Sequence, residues 1–236
     1  MGLARGHARR ESRQHRTMTT DFTLVALHGF ASSPRSRKNE HLRPRFAARG
    51  IDLVTPDLNQ PSFATLSFDA MVHEVTRTWR ARGERPLRMI GSSLGGYVAA
   101  LFAATHPERV DRLVLLCPAF DLASRWRDLI EPARMEEWRQ TGALAFDDAT
   151  GQSVRVHYGF FVEGLDVPTF PRVTCPTIVI HGRTDETVPV AQSARYALET
   201  PAVRELVLVN DGHDLLGSLP VIDAVVDRFL LEEPPR

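Results

Sequence analysis

The stretch GSSLGG at residues 91–96 decides the fold of this chain, because it stands between an apolar run at 87–90 and a helix-like segment. A serine that attacks a carbonyl group projects best from a sharp turn between a strand and a helix. The backbone comes so close to itself there that only glycine fits at the flanking positions, and glycine stands at both. The pattern therefore predicts that Ser93 is a nucleophile. Ser92, one residue off the centre of this frame, is the less suitable candidate.

The residues that would activate this serine follow it in the chain. A serine hydroxyl needs a neutral imidazole to take its proton and a carboxylate to orient that imidazole. An apolar run at 177–180 is followed by Asp185, and a second run at 205–209 is followed by His213. The order serine, aspartate, histidine distinguishes this pattern from the chymotrypsin and subtilisin arrangements. It predicts a triad of Ser93, Asp185 and His213.

Other carboxylates compete with Asp185 for the orienting role. Asp211 and Asp214 lie close to His213 in the sequence, and Glu186 adjoins Asp185. Neighbouring residues in a turn rarely aim their side chains at each other, whereas Asp185 arrives from a separate strand end. We expect Asp185 to orient the histidine, with Glu186 as the alternative if the loop is displaced.

An upstream motif completes the pattern. The apolar run at 23–27 leads into HGFA at residues 28–31. With the serine turn and the residue order, the chain resembles a serine esterase of the α/β-hydrolase superfamily over residues 23–231. The opening HGFASSPRSRK at residues 28–38 is also similar to that of a small branch of bacterial esterases.

This resemblance implies a fold and a further part of the site. The fold is a mostly parallel central sheet flanked by helices, with the ligand outside the carboxyl ends of the strands. The backbone N–H groups of Phe30 and Leu94 would form the oxyanion hole. His28 belongs to the same turn, and we expect it to brace the loop and not to transfer protons.

Short β-branched runs alternate with helix-length segments along the chain, which predicts parallel strands joined by right-handed crossovers. Strands are expected at residues 23–27, 52–55, 87–90, 112–117, 177–180 and 205–209. Helices are expected at residues 36–49, 68–82, 94–105, 190–198 and 219–231.

Residues 121–173, which we name the cap segment, interrupt this alternation and have weak strand character. The resemblance implies that such an insertion between two late strands forms a lid. The stretch at 131–139 predicts helices over an acyl group, while the alternative is that the aromatic residues only pack the insertion onto the body. These aromatic residues include Trp126, Trp138, Tyr158, Phe160 and Phe161.

Composition limits the class of partner. The chain has 236 residues, 43% of them hydrophobic, and we expect residues 18–236 to form a single domain. Lys and Arg number 29, as do Asp and Glu, so no global field indicates nucleic acid or an anionic membrane. No apolar run approaches the roughly 20 residues that span a bilayer. We expect a small-molecule acyl ester or thioester as partner, and the oligomeric state stays open.

The amino-terminal residues and the cysteines bear on location. Residues 1–17 carry several arginines against Glu11 alone and have no apolar core like that of a secretory signal. We expect a disordered basic arm or an extension ahead of a true start at Met18, with a transit peptide as the alternative. Cys117 and Cys175 lie in apolar, strand-like contexts, which favours free core thiols over a disulfide. A cytoplasmic location fits these features.

The predicted activity is hydrolysis of carboxylic esters of small apolar acyl groups through an acyl-serine intermediate. An acyl thioesterase would use the same triad, and acyl transfer to an alcohol is a further alternative. A non-catalytic ligand-binding member of the fold is the alternative from another class, and the intact triad argues against it. No cofactor is implied. None of the 9 histidines has a metal-ligand spacing such as His-x-x-x-His, so no metal site is expected.

Overall fold

The computed structural model describes residues 20–232. Its strands are β1 (Thr23–Leu27), β2 (Leu53–Val54), β3 (Leu87–Ser92), β4 (Val110–Leu116), β5 (Ala143–Asp147), β6 (Ser153–His157), β7 (Thr177–Gly182) and β8 (Val203–Val209). Its α-helices are α1 (Arg37–Ala47), α2 (Phe68–Ala81), α3 (Leu94–Thr105), α4 (Leu122–Leu129), α5 (Pro132–Thr141), α6 (Tyr158–Asp166), α7 (Val190–Glu199) and α8 (Leu219–Val226). A π-helical turn at Asp227–Leu231 continues α8.

The central sheet has six parallel strands in the order β2-β1-β3-β4-β7-β8. Every strand and helix predicted from the sequence is present, with ends that differ by a few residues. The prediction of a mostly parallel sheet flanked by helices is therefore confirmed. Because all the strands run in one direction, their carboxyl ends meet at one edge, where the loops that follow β1, β3, β7 and β8 come together.

Alternate residues of the strands enter two apolar layers, one on each face of the sheet. One layer packs against α2, α3, α7 and the cap segment, and it takes from the strands Val25, Leu27, Met89, Leu113, Leu115 and Val179. The other packs against α1 and α8, and it takes Leu24, Ala26, Ile90, Val114, Leu116, Ile178 and Ile180. Burial on both faces explains why these strands read as continuous apolar runs.

Helix α3 is buried along nearly its whole length, from Leu94 to Ala103. Its small residues let it approach the sheet closely, and its first turn leaves no room for side chains. A Cβ on Gly91 would lie 2.5 Å from the carbonyl oxygen of Gly95. A Cβ on Gly95 would lie 2.4 Å from the carbonyl oxygens of both Leu27 and His28. Glycine at these two positions is what lets β1, β3 and α3 meet.

The cap segment lies between β4 and β7 and contains α4, α5, α6 and an antiparallel hairpin of β5 and β6. The expected helix at 131–139 is present as α5, but the expectation of weak strand character is wrong for the hairpin. Of its strands, SVRVH alternates polar and apolar residues, whereas ALAFD is apolar up to its last residue. Between them the Asp148 carboxylate accepts hydrogen bonds from the N–H groups of Thr150 and Gln152, and Gly151 has φ +80°.

Cys117 and Cys175 are both free and buried, as predicted. None of the helices formed by residues 20–232 combines the length and the apolar character that a bilayer crossing requires. The predictions for residues 1–17 and for a start at Met18 concern positions outside the described residues.

The close approach at Gly95 predicts a large loss of stability for Gly95→Ala. The added methyl group meets two backbone carbonyl oxygens that cannot rotate away, so we expect the free energy of unfolding to fall by about 3 kcal/mol or more. Urea denaturation followed by circular dichroism measures this change.

Gly159→Ala is the matched control. No atom lies within 4 Å of a Cβ at that exposed position of α6, and alanine favours the helix by about 0.5–1 kcal/mol. Equal stabilities of the two variants would contradict the packing described here.

Candidate active site

Ser93 occupies a left-handed turn between β3 and α3. Its φ is 54° and its ψ is −120°, a conformation that costs a non-glycine residue about 1–3 kcal/mol. Hydrogen bonds to the neighbouring strand connection hold it there. The Ser93 N–H donates to the carbonyl oxygen of Leu116 at 2.9 Å, and the Ser93 carbonyl accepts from the N–H of Ala119 at 3.0 Å. The serine side chain is thereby presented beyond the carboxyl end of the sheet.

The structure brings the three residues of the predicted triad together. The Oγ of Ser93 lies 2.9 Å from Nε2 of His213, and Nδ1 of His213 lies 2.7 Å from Oδ2 of Asp185. An ionised carboxylate only accepts hydrogen bonds, so Nδ1 carries the hydrogen. Nε2 of the neutral ring is then free to accept the hydroxyl hydrogen of Ser93, which is the arrangement that proton transfer from serine requires.

The Asp185 carboxylate is buried and held by several donors. Oδ1 accepts from the N–H groups of Thr187 at 2.9 Å and Val188 at 2.7 Å, while Oδ2 faces both His213 and His181. Burial alone would raise the pKa of this carboxyl, but the hydrogen bonds from His181, His213 and Val188 outweigh it and hold the pKa well below its usual range. Asp185 therefore keeps its charge throughout the neutral and mildly acidic range.

The competing carboxylates lie in other environments. Oδ1 of Asp211 accepts the N–H of Gly212, and Oδ1 of Asp214 accepts the N–H of Leu216. Glu186 is exposed, whereas Asp185 is buried. Their geometry agrees with the choice of Asp185 made from the sequence.

His181, at the end of β7, is a member of this network that the sequence pattern did not indicate. It is fully buried, with Nδ1 2.7 Å from the Ser193 hydroxyl and Nε2 2.9 Å from the Val188 carbonyl oxygen. Because a carbonyl only accepts, Nε2 carries a hydrogen, and the same nitrogen lies 3.2 Å from Oδ2 of Asp185. His181 thus supports the carboxylate from behind. The sequence signal for this contact was the spacing of four residues between His181 and Asp185.

Cys117, His181 and Asp185 lie close enough for their donor atoms to surround an ion, all within 4.8 Å of one another. The chemistry of the set does not fit a metal. Binding requires a thiolate, and burial raises the pKa of the Cys117 thiol far above neutrality. The hydrogen-bearing Nε2 of His181 is already directed to Val188 and Asp185. The cluster is better described as support for Asp185.

The HGFA turn passes directly beside Ser93. A Cβ on Gly29 would lie 3.1 Å from the Cβ of Ser93, so the backbone that leads into Phe30 is next to the Ser93 side chain. Leu94 is the first residue of α3, and the N–H groups of a first helical turn have no partner within the helix. These are the positions that the resemblance assigned to the oxyanion hole.

His28 holds this turn in place. The N–H of Leu58 donates to its Nε2 at 3.0 Å, so Nδ1 carries the hydrogen and donates to the carbonyl oxygen of Gly29 at 2.9 Å. The ring is 2% exposed and has no contact with Ser93 among the hydrogen bonds of residues 20–232. This arrangement is the bracing role expected from the sequence.

Aromatic side chains surround the Phe30 ring. Its neighbours have ring centroids between 5.1 and 6.4 Å away, and all but Phe63 come from the cap segment. We name this group the aromatic cluster; its members are Phe30, Phe63, Trp126, Phe146 and Phe160. Of the aromatic side chains predicted to lie over an acyl group, Trp126 and Phe160 contact the Phe30 ring, whereas the others pack against rings of the cap segment: Trp138, Tyr158 and Phe161.

Comparisons with known proteins show the family and the fold of this chain. The family model that matches the chain is described as an uncharacterised protein family (UPF0227), and it covers residues 23–229. Monoacylglycerol lipase abhd6-B of Xenopus laevis is 25% identical over 181 residues, 71% of this chain and 49% of that protein. Lipase LipV of Mycobacterium tuberculosis is 34% identical over 139 residues, 52% of this chain and 51% of LipV. The chain spans about half the length of these curated relatives.

Among solved structures, alpha/beta hydrolase domain-containing protein 10 from mouse superposes with a TM-score of 0.67. The two sequences are 22% identical, and the match covers 87% of this chain and 90% of that one. At this identity the likeness shows the fold alone. It is the α/β-hydrolase fold that the sequence predicted.

The low pKa of the Asp185 carboxyl predicts how stability depends on pH. A carboxyl whose folded pKa is depressed stabilises the protein above its unfolded pKa of about 3.9 and loses that contribution as the pH falls further. We expect Asp185→Asn to lower the free energy of unfolding at neutral pH by about 2 kcal/mol or more. The difference from the unmodified protein should shrink below about pH 4.

Urea denaturation at a series of pH values measures this difference. Asp147→Asn, at an exposed position of β5, is the control that removes one carboxylate without a buried network. It should change stability little at any pH. A stability deficit of Asp185→Asn that does not vary between neutral pH and pH 3 would contradict the assignment of a depressed pKa.

Proposed function

Because this chain belongs to the uncharacterised protein family UPF0227 and has the α/β-hydrolase fold, we propose that it is a serine hydrolase of carboxylic esters. The observation that carries the proposal is the continuous hydrogen-bonded path from Ser93 through His213 to the buried Asp185. The lipases among its relatives support the same reaction class.

In the proposed first step, Oγ of Ser93 attacks the ester carbonyl carbon while its hydrogen passes to Nε2 of His213. The imidazolium that forms is stabilised by the Asp185 carboxylate, which is charged already and needs no rearrangement. The N–H groups of Phe30 and Leu94 would donate to the oxygen that becomes negative. Each such donor lowers the barrier by roughly 3 kcal/mol in related chemistry.

In the second half of the reaction, the carbonyl re-forms and the alcohol leaves with the hydrogen from Nε2 of His213. Water then attacks the acyl-serine, again giving a proton to His213, and the acid is released as Ser93 recovers its hydrogen. Oxygen esters and thioesters pass through the same acyl-serine. The proposed small-molecule substrate therefore includes both, and no cofactor takes part in any of these steps.

We further propose that the aromatic cluster forms the acyl-binding side of the site and that the cap segment acts as its lid. Phe30 belongs to both the oxyanion hole and the acyl-binding side. Its N–H is assigned to the oxyanion hole, while its ring packs against Trp126, Phe146 and Phe160. An acyl chain bound to the adjacent Ser93 would extend along these rings. Their apolar surfaces favour an uncharged acyl group of small size.

Labelling with a fluorophosphonate tests the nucleophile without assuming a substrate. We expect the intact mass of the unmodified protein to increase by one phosphonyl group and that of Ser93→Ala to stay unchanged, because only an activated serine reacts at a useful rate. The kcat/KM of Ser93→Ala for p-nitrophenyl butyrate should fall at least about a thousandfold.

Ser92→Ala is the matched control, since it removes the neighbouring hydroxyl at the end of β3. It should be labelled like the unmodified protein. Labelling that persists in Ser93→Ala, or that disappears only in Ser92→Ala, would contradict the assignment. A folded protein that reacts with neither fluorophosphonate nor esters would instead support the non-catalytic binding alternative.

The aromatic cluster predicts a change in acyl-chain preference for Phe146→Ala. Phe146 is half-buried and its ring lies 5.3 Å from that of Phe30, so its removal opens space for additional methylene groups. Each methylene newly buried improves kcat/KM about fourfold, and we expect the optimum to move to longer chains. Rates with p-nitrophenyl esters from acetate to octanoate measure the shift.

The control is Phe229→Ala, which removes a half-buried ring packed in the layer against α8. Identical chain-length profiles in the two variants would disprove this assignment of the acyl side.

A further inference from the structure

A cleft of about 340 Å³ opens next to the loop that follows His213. Four segments line it: the residues after the HGFA turn, the start of α1, the turn of the cap hairpin and the loop that follows His213. The residues relevant here are Ala31, Arg35, Arg37, Lys38, Ala149 and Asp214. Ala31 directly follows Phe30 and Asp214 directly follows His213, so two lining residues adjoin residues of the candidate active site in the chain.

The charges in the cleft are predominantly positive. Arg35, Arg37 and Lys38 line it, against the single carboxylate of Asp214. The arginines are exposed, and the nearest ion-pair partner of Arg35 is Glu40 at 3.9 Å, beyond hydrogen-bond distance. Their guanidinium groups thus remain available to a ligand, and the planar fork of an arginine matches the two oxygens of a carboxylate or phosphate.

Lys38 is held more firmly. Its Nζ donates to the main-chain carbonyl oxygen of Asp214 at 2.8 Å, which ties α1 to the loop that carries His213. Burial lowers the pKa of this lysine, and the neighbouring Asp214 and Asp211 act in the opposite direction. The lysine therefore serves mainly to fix the wall of the cleft.

Serine hydroxyls add uncharged donors to the same wall. Oγ of Ser33 accepts the N–H of Arg35, and Oγ of Ser36 accepts the N–H of Asn39, both at 3.3 Å. Each of these oxygens is thus fixed as an acceptor, which leaves its hydrogen free to donate into the cleft. Donors without matching acceptors are what an anionic ligand requires.

The position of the cleft indicates which part of a substrate it meets. His213 must give its hydrogen to the departing alcohol or thiol, so the leaving group lies next to His213. The lining of the cleft includes Asp214, the residue after His213, whereas the aromatic cluster adjoins the HGFA turn through the Phe30 ring. The acyl and leaving-group sides of the site thus differ in character, one aromatic and the other cationic.

We propose that this cleft binds an anionic group, a carboxylate or a phosphate, carried by the leaving group of the ester, and that Arg35 and Arg37 determine this specificity. The substrate class is thereby narrowed to esters or thioesters of small apolar acids with an anionic alcohol or thiol. This inference rests on the proposed ester hydrolysis at Ser93.

The test compares butyrate esters that differ only in the charge of the phenol. 4-Carboxyphenyl butyrate is compared with its methyl ester, and 4-phosphonooxyphenyl butyrate distinguishes phosphate from carboxylate. We expect the unmodified protein to prefer an anionic ester in kcat/KM. In the variant Arg35→Gln/Arg37→Gln the ratio of anionic to neutral ester should fall about five- to tenfold, and added NaCl should reduce it in the unmodified protein.

The neutral ester in each ratio removes any general effect of the substitutions on the site. Arg204→Gln is the matched control, because Arg204 is an exposed arginine near the amino end of β8, at the opposite edge of the sheet. It should leave the ratio unchanged. A ratio that is unaffected by the double substitution, or that falls equally in Arg204→Gln, overturns the proposal while ester hydrolysis itself stands.

A second measurement does not depend on turnover. Calorimetric titration of Ser93→Ala with benzoate, phenyl phosphate and methyl benzoate should show binding of one or both anions and none of the neutral ester. The affinity for the anion should fall about five- to tenfold when Arg35→Gln/Arg37→Gln is added. Anion binding with no hydrolysis of any ester would refute the proposed function alone. Absence of anion binding would refute the proposal that the cleft binds an anionic group.

Discussion

The left-handed turn at Ser93 is the constraint on which the rest of this structure depends. A serine with φ 54° is unfavourable by itself, and it persists because hydrogen bonds from the β4 connection and the close contacts of two glycines exclude other conformations. Gly95 brings the start of α3 against the end of β1, and the HGFA turn therefore lies beside Ser93. Other non-glycine residues with positive φ surround the same edge of the sheet: Ala31, Cys117 and Leu215. The local cost of these turns is offset by the apolar layers on both faces of the sheet.

The buried carboxylate of Asp185 shows how the fold stabilises a charge that chemistry needs. A carboxylate without partners would take up a proton on burial, but this one receives two backbone N–H groups and faces two histidines. The cap segment also contributes, since Arg125 of α4 donates to the carbonyl oxygen of Thr187 and so fixes the loop that supplies one of those N–H groups. The orientation of His213 is therefore set by contacts from β7, the following loop and the cap together.

The sequence predicted the sheet, its flanking helices and the residues that meet at its edge, because each of these leaves a local pattern. Apolar runs indicate the strands, and the glycines around Ser93 and the residues after β7 and β8 indicate the site. His181 left only its spacing of four residues from Asp185, which does not distinguish a histidine that supports a carboxylate from one that fills a core. Of the β5–β6 hairpin, only the five residues of β6 alternate in polarity, and so short a pattern within the cap segment did not indicate a strand. The cleft combines segments far apart in the chain, so only the folded structure joins Lys38 to Asp214.

In the proposed reaction, the cations of the cleft would by themselves oppose the imidazolium that forms on His213. Two features limit that cost here. Arg35 and Arg37 are exposed, so water and salt screen them, whereas Asp185 interacts with His213 at 2.7 Å in a buried environment. An anionic leaving group bound in the cleft would neutralise the arginines at the moment when His213 becomes charged. The positive charge of the cleft would then oppose the imidazolium least when an anionic group occupies the cleft. Binding of the correct substrate would thus itself favour proton transfer from Ser93.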